Sequence, residues 1–542
     1  MITREEWKDF RGSKKTPDHI MLSVKGNACT DMGVTWRCST DVTDGHVSVR
    51  KKGVPEDKRF DAVFEPYRTD LDESNYFWAD VTGLEPDTEY EYTCGSESDR
   101  SELFSFKTAP LDCEDFEFLI LADTQHGDAE PPADYTEYGE IVSEILRLHP
   151  NIRFILVAGD NTNCGGTDIQ WCGLLDGLKG VIEHVPYMMS VGNHDDMMFS
   201  SYFTKEGKYY SDQAIYFYSQ FKHSYNFNGP KDWEVANYSF DYGNAHFTTI
   251  GTSGQEYLNP WIINDAESSD KTWKFAMNHF PICYNGSDLS NCDNYPVIME
   301  GIEKFDVVFA GHEHSFSRSY PRKDNNLYKK PSQGTIHYEL GSGFRNPPGT
   351  KCVPKVWNAF CYEHEVYLSM YSVAHVKGKT LTIKAYLEGD VLVDEVTIDK
   401  ENDVILPVLN PPKFLKTRVF FKGMELGIMG SINPCQLVDG HFMIPPAVLF
   451  RAIGVDVQMS PGAVTVNGYG HTAIYRENSD EVETDRGILK SACKISRLNR
   501  GQLFADIDSL CEPFDLFWSY YDENNFISIE TENENAPLPA QP

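Results

Sequence analysis

Between residues 17 and 110, apolar and polar positions alternate in short runs: "HIMLSVKG", "DMGVTWRC", "HVSVRKK", "FWADVTGLEPDTEYEYTC" and "SELFSFKTAP". Gly, Asp and Pro separate these runs, and a period of two between turn residues predicts a small antiparallel β-sandwich. From about residue 113 the pattern changes, and apolar strands alternate with stretches of helical period, as in βαβ construction. "FEFLILAD" is followed by "DYTEYGEIVSEILRLHP", where Ile141, Ile145 and Leu148 share one helical face and Pro150 ends the helix. "RFILVAGD" comes next, then "DIQWCGLLDGLKGVIEHVP", again of helical period. "PYMMSVGNHD", "KFAMNHFP" and "FDVVFAGHEH" are the following strands. "YLSMYSVAHVKGKTLTIKAYLEGDVLVDEVTI" reads as an antiparallel meander turning at "KGK" and "EGD", and it closes this section near residue 400.

These patterns divide the chain into a β-sandwich over 17–110, a central α/β domain over 111–400, a Pro-containing linker over 401–413 and a small α+β region over 414–532. The last region contains an internal echo. "GHFMIPPAVLFRAIGVDVQMSPGAVTV" (440–466) lies over "GQLFADIDSLCEPFDLFWSYYDENNFISI" (501–529) at an offset of 61 residues. Both run from Gly through a short strand, an apolar helix and two strands around a turn, which reads as a duplicated unit. The tail "TENENAPLPAQP" has the composition of a disordered segment.

Composition narrows the possible functions. A chain of 542 residues exceeds one core and suggests roughly three to four domains. Hydrophobic content of 41% supports burial, while 48 Lys+Arg against 82 Asp+Glu gives a net charge of −34. That charge argues against a polyanion-binding surface, so nucleic acid is not expected as a partner. It leaves room for an anionic substrate held by bound metal, because the ions dominate the local field. The start "MITREEWKDFRGSKK" lacks the apolar core of a signal peptide, and no run approaches a membrane span. The expected location is therefore the cytoplasm, with secretion or display at the cell surface as the alternative. The cysteine count is odd at thirteen, and four pairs lie eight or nine residues apart: Cys29/Cys38, Cys164/Cys172, Cys283/Cys292 and Cys352/Cys361. In an exported protein these would suit loop disulfides; without a signal, free thiols are the expectation.

Five strand-like runs of the central region end in metal-ligand residue types: Asp123, Asp160, Asn193, His279 and the pair His312/His314. Singly, each has an ordinary structural use, such as a turn for Asp160 or a core position for His279. Together, in order on successive strands, they point to one crevice beyond the carboxyl ends of a sheet. Two divalent ions about 3.5–4 Å apart clamp a phosphoryl group and generate a hydroxide nucleophile. Such a pair needs one carboxylate bridging both ions, and Asp160 is the candidate. Asp123 and the Asn193 amide oxygen offer hard oxygen ligands, and His279, His312 and His314 offer neutral imidazoles. The His-x-His spacing of "GHEH" turns two rings to one side of an extended segment. His194 is free to protonate or orient the leaving oxygen, with Asp195 as the group that fixes its tautomer.

The blocks "AD-TQ", "AGDN", "GNHD", "MNHFPICY" and "GHEHSFSRSYP" resemble the ordered motifs of calcineurin-like metallophosphoesterases. "HFPICY" and "GHEHSFSRSYP" are similar to blocks of the purple acid phosphatase branch, and "GLEPDTEYEYTC" with "FSFKTAP" resembles the later strands of a fibronectin type III module. The resemblance covers about residues 17–400. It implies a β-sandwich flanked by helices and two metal ions of the Fe, Mn or Zn type. One ion would sit on Asp123, Asp160 and His314, the other on Asp160, Asn193, His279 and His312. The implied reaction is phosphate monoester hydrolysis by metal-bound hydroxide on a small substrate. Phosphodiester cleavage of nucleotides or phospholipid headgroups, and a non-catalytic surface binding protein, are the alternatives.

Two departures bear on the first ion. Purple acid phosphatases carry Gly at the position of Gln125 and a Tyr ligand at that of Asn163, so no purple colour is expected here. Other calcineurin-like enzymes carry a His ligand where Gln125 stands. Gln125, through its amide oxygen, is the expected substitute, and His126 is the runner-up, since adjacent residues point opposite ways from a strand end. Arg318 and Arg345 are candidate phosphate-binding residues with surface ion pairing as the alternative for each, and Tyr284 and Trp357 are candidate pocket walls for which packing is the expected role. "DGHFMIPPAVLFRAIGVDV" and its echo resemble the module called copper amine oxidase N-terminal-like. That resemblance implies an accessory that binds the cell envelope or a protein, in a bacterial setting. It does not imply copper, because His441 and His471 are the main ligand candidates there.

Overall fold

The Met32–Ser39 strand is buried along nearly its whole length because both of its faces are covered. Val34, Trp36 and Cys38 enter the N-terminal sandwich, where Trp36 stacks on Phe77 at 5.4 Å. On the other face Arg37 donates to Cys172 Sγ at 3.4 Å, and Ser224 Oγ meets Thr35 Oγ1 at 3.3 Å. The sandwich has two four-stranded sheets. One runs in the order Asp18–Ser23, Met32–Ser39, Glu73–Val81, Val63–Arg68, the other Lys58–Asp61, His46–Lys51, Glu89–Gly95, Phe104–Lys107.

This computed structural model describes residues 3–126, 133–196, 215–231, 233, 236–286, 295–347, 352–362, 368–412, 417–426, 435–498, 501–522 and 525–531. They divide into two units, one of residues up to 323 with 327–410, the other of 324–326 with 411 onward. A helix absent from the pattern reading, Arg4–Phe10, precedes the sandwich. Thr3 Oγ1 accepts from Glu6 N at 3.2 Å, and the Glu6 carboxylate accepts from Thr3 N at 2.8 Å. Trp7 of this helix is fully buried beside Leu71, Ala133, Ile169 and Cys172.

The central domain is a pair of seven-stranded sheets packed face to face. The first orders Tyr187–Met189, Ile152–Val157, Asp115–Leu121, Met370–Lys377, Thr380–Leu387, Val391–Asp399 and Val404–Leu406. The second orders Tyr238–Tyr242, Ala245–Ile250, Trp273–Asn278, Val307–Ala310, Ile336–Glu339, Phe316–Ser319 and Asn358–Tyr362. Aromatic rings fill the space between: Phe118 stacks on Phe154 at 5.3 Å and meets Phe247 and Phe275 edge-on. Each fully buried ring of this kind removes a large apolar area from water. Helices Thr136–Leu148 and Asp168–Gly177 cover the first sheet, and Asn259–Ser268 and Tyr295–Ile302 the second. The first three strands of the first sheet run parallel, as do Trp273–Asn278 and Val307–Ala310 in the second. Their carboxyl ends therefore lie on one side.

Residues 401–413, expected as a linker, instead contain the sheet's last strand: Val404–Leu406 pairs antiparallel with Thr397–Asp399. Three residues are too few to show a period of their own. In the second unit, the echo is a repeated strand, helix and hairpin. The first copy is His441–Ile444, Pro446–Ala452 and the hairpin Asp456–Ser460/Ala463–Gly468. The second is Gln502–Asp506, Ile507–Cys511 and Phe517–Tyr521/Phe526–Glu530. Their leading strands pair antiparallel, Met443 opposite Asp506 and Ile444 opposite Ala505. The tail after residue 531 lies outside the described residues. No helix among the described residues is long and apolar enough to cross a membrane.

Candidate metal centre

Asp123, Asp160, Asn193, His279, His312 and His314 converge beyond the carboxyl ends of these parallel strands. Asp123, Asp160 and His314 place ligand atoms within 4.8 Å of one another, and so do Asp160, His279 and His312. Asp160 belongs to both groups. Its Oδ1 lies 3.2 Å from His279 Nε2, while His314 Nε2 lies 3.6 Å from Asp123 Oδ1. Asn193 Oδ1 joins the second group, 3.0 Å from His279 Nε2 and 2.9 Å from His312 Nδ1.

The backbone is tightly braced here. Asp123 N donates to Gly159 O at 3.1 Å and Thr124 N to Asp160 O at 2.9 Å, so two strand ends are cross-bonded. His312 N donates to both Asp123 carboxylate oxygens, at 2.8 and 2.9 Å. Asp123, Asp160, His312 and His314 all have positive φ, at 52°, 53°, 80° and 53°. Such conformations cost about 1–3 kcal/mol each and cluster where geometry is functional. Two glycines precede ligands because nothing larger fits. A Cβ on Gly192 would lie 2.1 Å from Asp160 Oδ1, and one on Gly311 2.5 Å from Asp123 Oδ2.

Ring orientation is set by carbonyls. A carbonyl only accepts, so His279 Nδ1–H donates to Ala158 O at 2.9 Å and His314 Nδ1–H to Pro347 O at 2.7 Å. Each Nε2 thereby faces the cluster, where a metal ion would take the place of a proton, the arrangement that tunes histidine ligands. Burial pushes the His312 imidazole down to about 3, helped by the positive field of His279. Burial works against charge on His279 too, but Asp160 and Asp123 outweigh it and raise that ring to about 9. Burial lifts Asp123 above the usual carboxylate range. Asp160 is buried as well, yet His279 and His194 hold it below that range. Two buried carboxylates among imidazoles demand positive charge at their centre.

Gln125 is 4% exposed and sits beside the first group, with Nε2 3.3 Å from Asp160 Oδ2 and 3.1 Å from His314 Nε2. Its Oε1 is buried without a hydrogen-bond partner. A half-turn of the amide exchanges the two ends and aims Oε1 at the Asp123–Asp160–His314 group, where a cation would satisfy it. The donor set thus fits a pair of divalent ions. His126 does not join it: its ring packs 5.3 Å from Phe344 and 5.9 Å from Tyr135, and its N–H donates to Tyr135 Oη.

Three expectations are corrected. Asp195 does not touch the His194 ring. It accepts from Gly192 N, Asn161 N and Nδ2, and Thr162 N and Oγ1, so it braces the loops. The His194 tautomer is set instead by Nδ1–H donating to Asn163 O at 2.9 Å, which turns Nε2 to within 3.9 Å of Asp160 Oδ2. Arg318 is 4% exposed and pairs with Asp394 through Nε (2.8 Å) and Nη2 (3.2 Å), so it offers no free guanidinium to a phosphate. Arg345 is held by Glu388, with Nε 2.7 Å from Oε2, and by Glu137. Tyr284 and Trp357 pack edge-on at 5.6 Å, and Trp357 Nε1 donates to Tyr284 O. In the second unit His471 is paired with Asp485 at 3.0 Å.

Pattern reading missed the segment beneath the first strand end. Ser342 Oγ donates to Asp123 O at 2.8 Å, and Asn346 Nδ2 to Asp123 O (3.1 Å) and Gln125 O (2.8 Å). The run "GSGFRNPPG" after the Ile336–Glu339 strand is rich in loop formers, and that was its one visible signal.

Residues 17–108 match the family model "Purple acid Phosphatase, N-terminal domain", and residues 116–316 match "Calcineurin-like phosphoesterase". Among curated relatives, probable inactive purple acid phosphatase 27 of Arabidopsis thaliana is 23% identical, over 52% of this chain and 51% of that protein. Acid phosphatase type 7 of Danio rerio is 22% identical, over 59% of this chain and 76% of that protein. The chain spans about half to three fifths of the length of the first relatives it matches. In fold it is similar to purple acid phosphatase PPD1 from yellow lupin seeds, with TM-score 0.58 and 18% identity over 71% of this chain and 74% of that one.

Proposed function

We propose that this chain is a two-metal phosphoesterase that hydrolyses phosphate monoesters of small substrates. The observation that carries this reading is the Asp160 carboxylate shared by two overlapping donor groups. In this reading Asp123, Asp160, His314 and Gln125 Oε1 hold one ion, and Asp160, Asn193 Oδ1, His279 Nε2 and His312 Nδ1 the other. Mixed carboxylate, amide and imidazole donors suit Fe, Mn or Zn. When bound, such ions supply Lewis acidity towards phosphoryl oxygens and make water acidic near neutral pH.

The chain's own groups do the rest. Ala158 O and Pro347 O hold the His279 and His314 rings in place. His194, its Nδ1–H committed to Asn163 O, carries at Nε2 the proton that passes to the departing oxygen. Asp195 fixes the Asn161–Thr162 and Gly192 backbone and so positions both Asp160 and Asn193. The duplicated second unit serves as an accessory module for an envelope or protein partner, a reading supported by its self-contained strand–helix–hairpin repeat. A chain ending at Asn410 should then keep its kcat, and a drop beyond tenfold would give that unit a part in catalysis.

The test is a panel of p-nitrophenyl phosphate and bis(p-nitrophenyl) phosphate after chelation, with Mn, Zn, Fe and Ca restored singly. Monoester turnover that returns with Mn, Zn or Fe is the expected result. Turnover of the diester alone would move the substrate class. Two bound equivalents with no turnover on either ester would make the chain a binding protein.

A further inference from the structure

We infer that Cys352 and Cys361 form a two-cysteine redox site that clasps the backing of the loop carrying His314. The Cys352 side chain adjoins the Cys361 thiol, and both side chains are partly exposed. Other thiols lie in different surroundings: Cys38 and Cys94 are buried in the sandwich core, and Cys172 packs against Arg37. One residue holds both members of the pair. Val353 N, next to Cys352, donates to Asn285 O at 2.6 Å, and the Cys361 thiol meets the Asn285 side chain. Asn285 is also the support behind the metal centre. Its Oδ1 accepts from Ser315 Oγ at 2.6 Å, and its Nδ2 donates to Phe316 O at 3.0 Å. Ser315 follows His314 directly, and Cys361 stands opposite Ser317 in the strand pairing.

The chemistry balances with hydrogen peroxide as oxidant. The Cys352 thiolate attacks one peroxide oxygen, the O–O bond breaks, and the departing hydroxide takes a proton to become water. The Cys361 sulfur then attacks the Cys352 sulfenic acid. An S–S bond forms, the S–O bond breaks, and the leaving hydroxide departs as water with the Cys361 proton. Two electrons pass from the two sulfurs to the peroxide. Burial and the neighbouring Cys352 push the Cys361 thiol up to about 12, which suits Cys361 to the resolving role. A dithiol reductant reverses the bond.

The thiol site stands on its own residues, whereas its effect on the centre rests on the two-metal reading. The full chain is loaded with Mn, treated with hydrogen peroxide, alkylated with N-ethylmaleimide and digested. A Cys352–Cys361 cross-linked peptide that dithiothreitol abolishes is the expected product. Full alkylation of both thiols, or pairing of either with another cysteine, overturns the site. The second readout is the rate at which a chelator extracts Mn. Oxidation should slow it at least threefold in the wild type and leave Cys352→Ser unchanged. A mapped disulfide with unaltered extraction overturns the clasp. Absence of bound Mn in either redox state would count against the metal reading and leave the peptide map to judge the thiols.

Discussion

Alanine at Gly192 tests the centre through one atom. The added Cβ would lie 2.1 Å from Asp160 Oδ1 and 2.2 Å from Asp160 N, against an ordinary contact of 3.4 Å or more. Turning the Asp160 side chain relieves only the first overlap, because the second is with backbone. That backbone is pinned by Thr124 N on Asp160 O at 2.9 Å. Asp160 and the Gly192–Asn193 turn must therefore separate by about 1 Å, and displacements of that size at a reacting centre cost roughly 10²-fold in rate. Gly192→Ala should retain its far-UV circular dichroism, bind less than two equivalents of Mn, and lose about two decades in kcat/KM on p-nitrophenyl phosphate. Gly180→Ala is the matched control. Gly180 has φ +86° with nothing within 4 Å of its Cβ, so alanine there should cost about 1 kcal/mol of stability and spare the metal. Wild-type metal content and rate in Gly192→Ala would refute the reasoning, since the close approach would then not be what holds Asp160.

Three further outcomes follow from separate parts of the molecule. Asp160→Ala should abolish turnover, whereas Gln125→Ala should chiefly raise the metal concentration needed, by roughly 10- to 100-fold; equal and total loss in both, read in a Mn titration, would refute that ranking. Arg318→Ala should leave KM unchanged and cost about 3–5 kcal/mol in urea unfolding, because it strands the buried Asp394 carboxylate; a raised KM at full stability would return Arg318 to the substrate. His246 lies between Asp241 (2.7 Å) and Asp265 (2.9 Å), and these hydrogen bonds overcome burial to raise it from 6.5 to about 9. A raised folded-state value stabilises fully below about 6.5 and is lost as pH climbs to about 9, a contribution of about 3 kcal/mol at most. Wild type should lose stability across that window and His246→Gln should not; parallel curves would refute the assignment.

What the sequence showed of the centre depended on how each residue reaches it. Asp123, Asp160, Asn193, His279 and His312 follow apolar strands directly, so the strand pattern alone gives their positions along the sheet. The long side chains did not yield in this way. Arg318 and Arg345 find Asp394 and Glu388 through tertiary pairing some 76 and 43 residues away in sequence, which no local period records. Asp195 is next to His194 in sequence, yet the Asn193–Asp196 turn sends it into the loop network and not onto the ring. The helix Arg4–Phe10 and the strand Val404–Leu406 escaped because they are too short to repeat. The short strand is held by its pairing with Thr397–Asp399, and the helix by the burial of Trp7, tertiary contacts that no local pattern records.

The strain at the centre explains why so many backbone bonds meet there. Four left-handed residues at about 1–3 kcal/mol each could not persist unless their neighbours left them no alternative. Asp123 shows how this is achieved. Its carbonyl is held by Ser342 and Asn346, its N–H by Gly159 O, and its carboxylate by the His312 N–H. The carboxylate bond is the informative one, because it ties the first strand end of one sheet to the "GHEH" loop of the other. A ligand from one sheet is thus oriented by the backbone that presents the ligands of the second. The two sheets cannot slide without breaking it, so the spacing of the donor groups is a property of the face-to-face packing of Phe118, Phe154, Phe247 and Phe275. The aromatic core is in this sense part of the centre, although none of its rings comes from the motifs that mark the site.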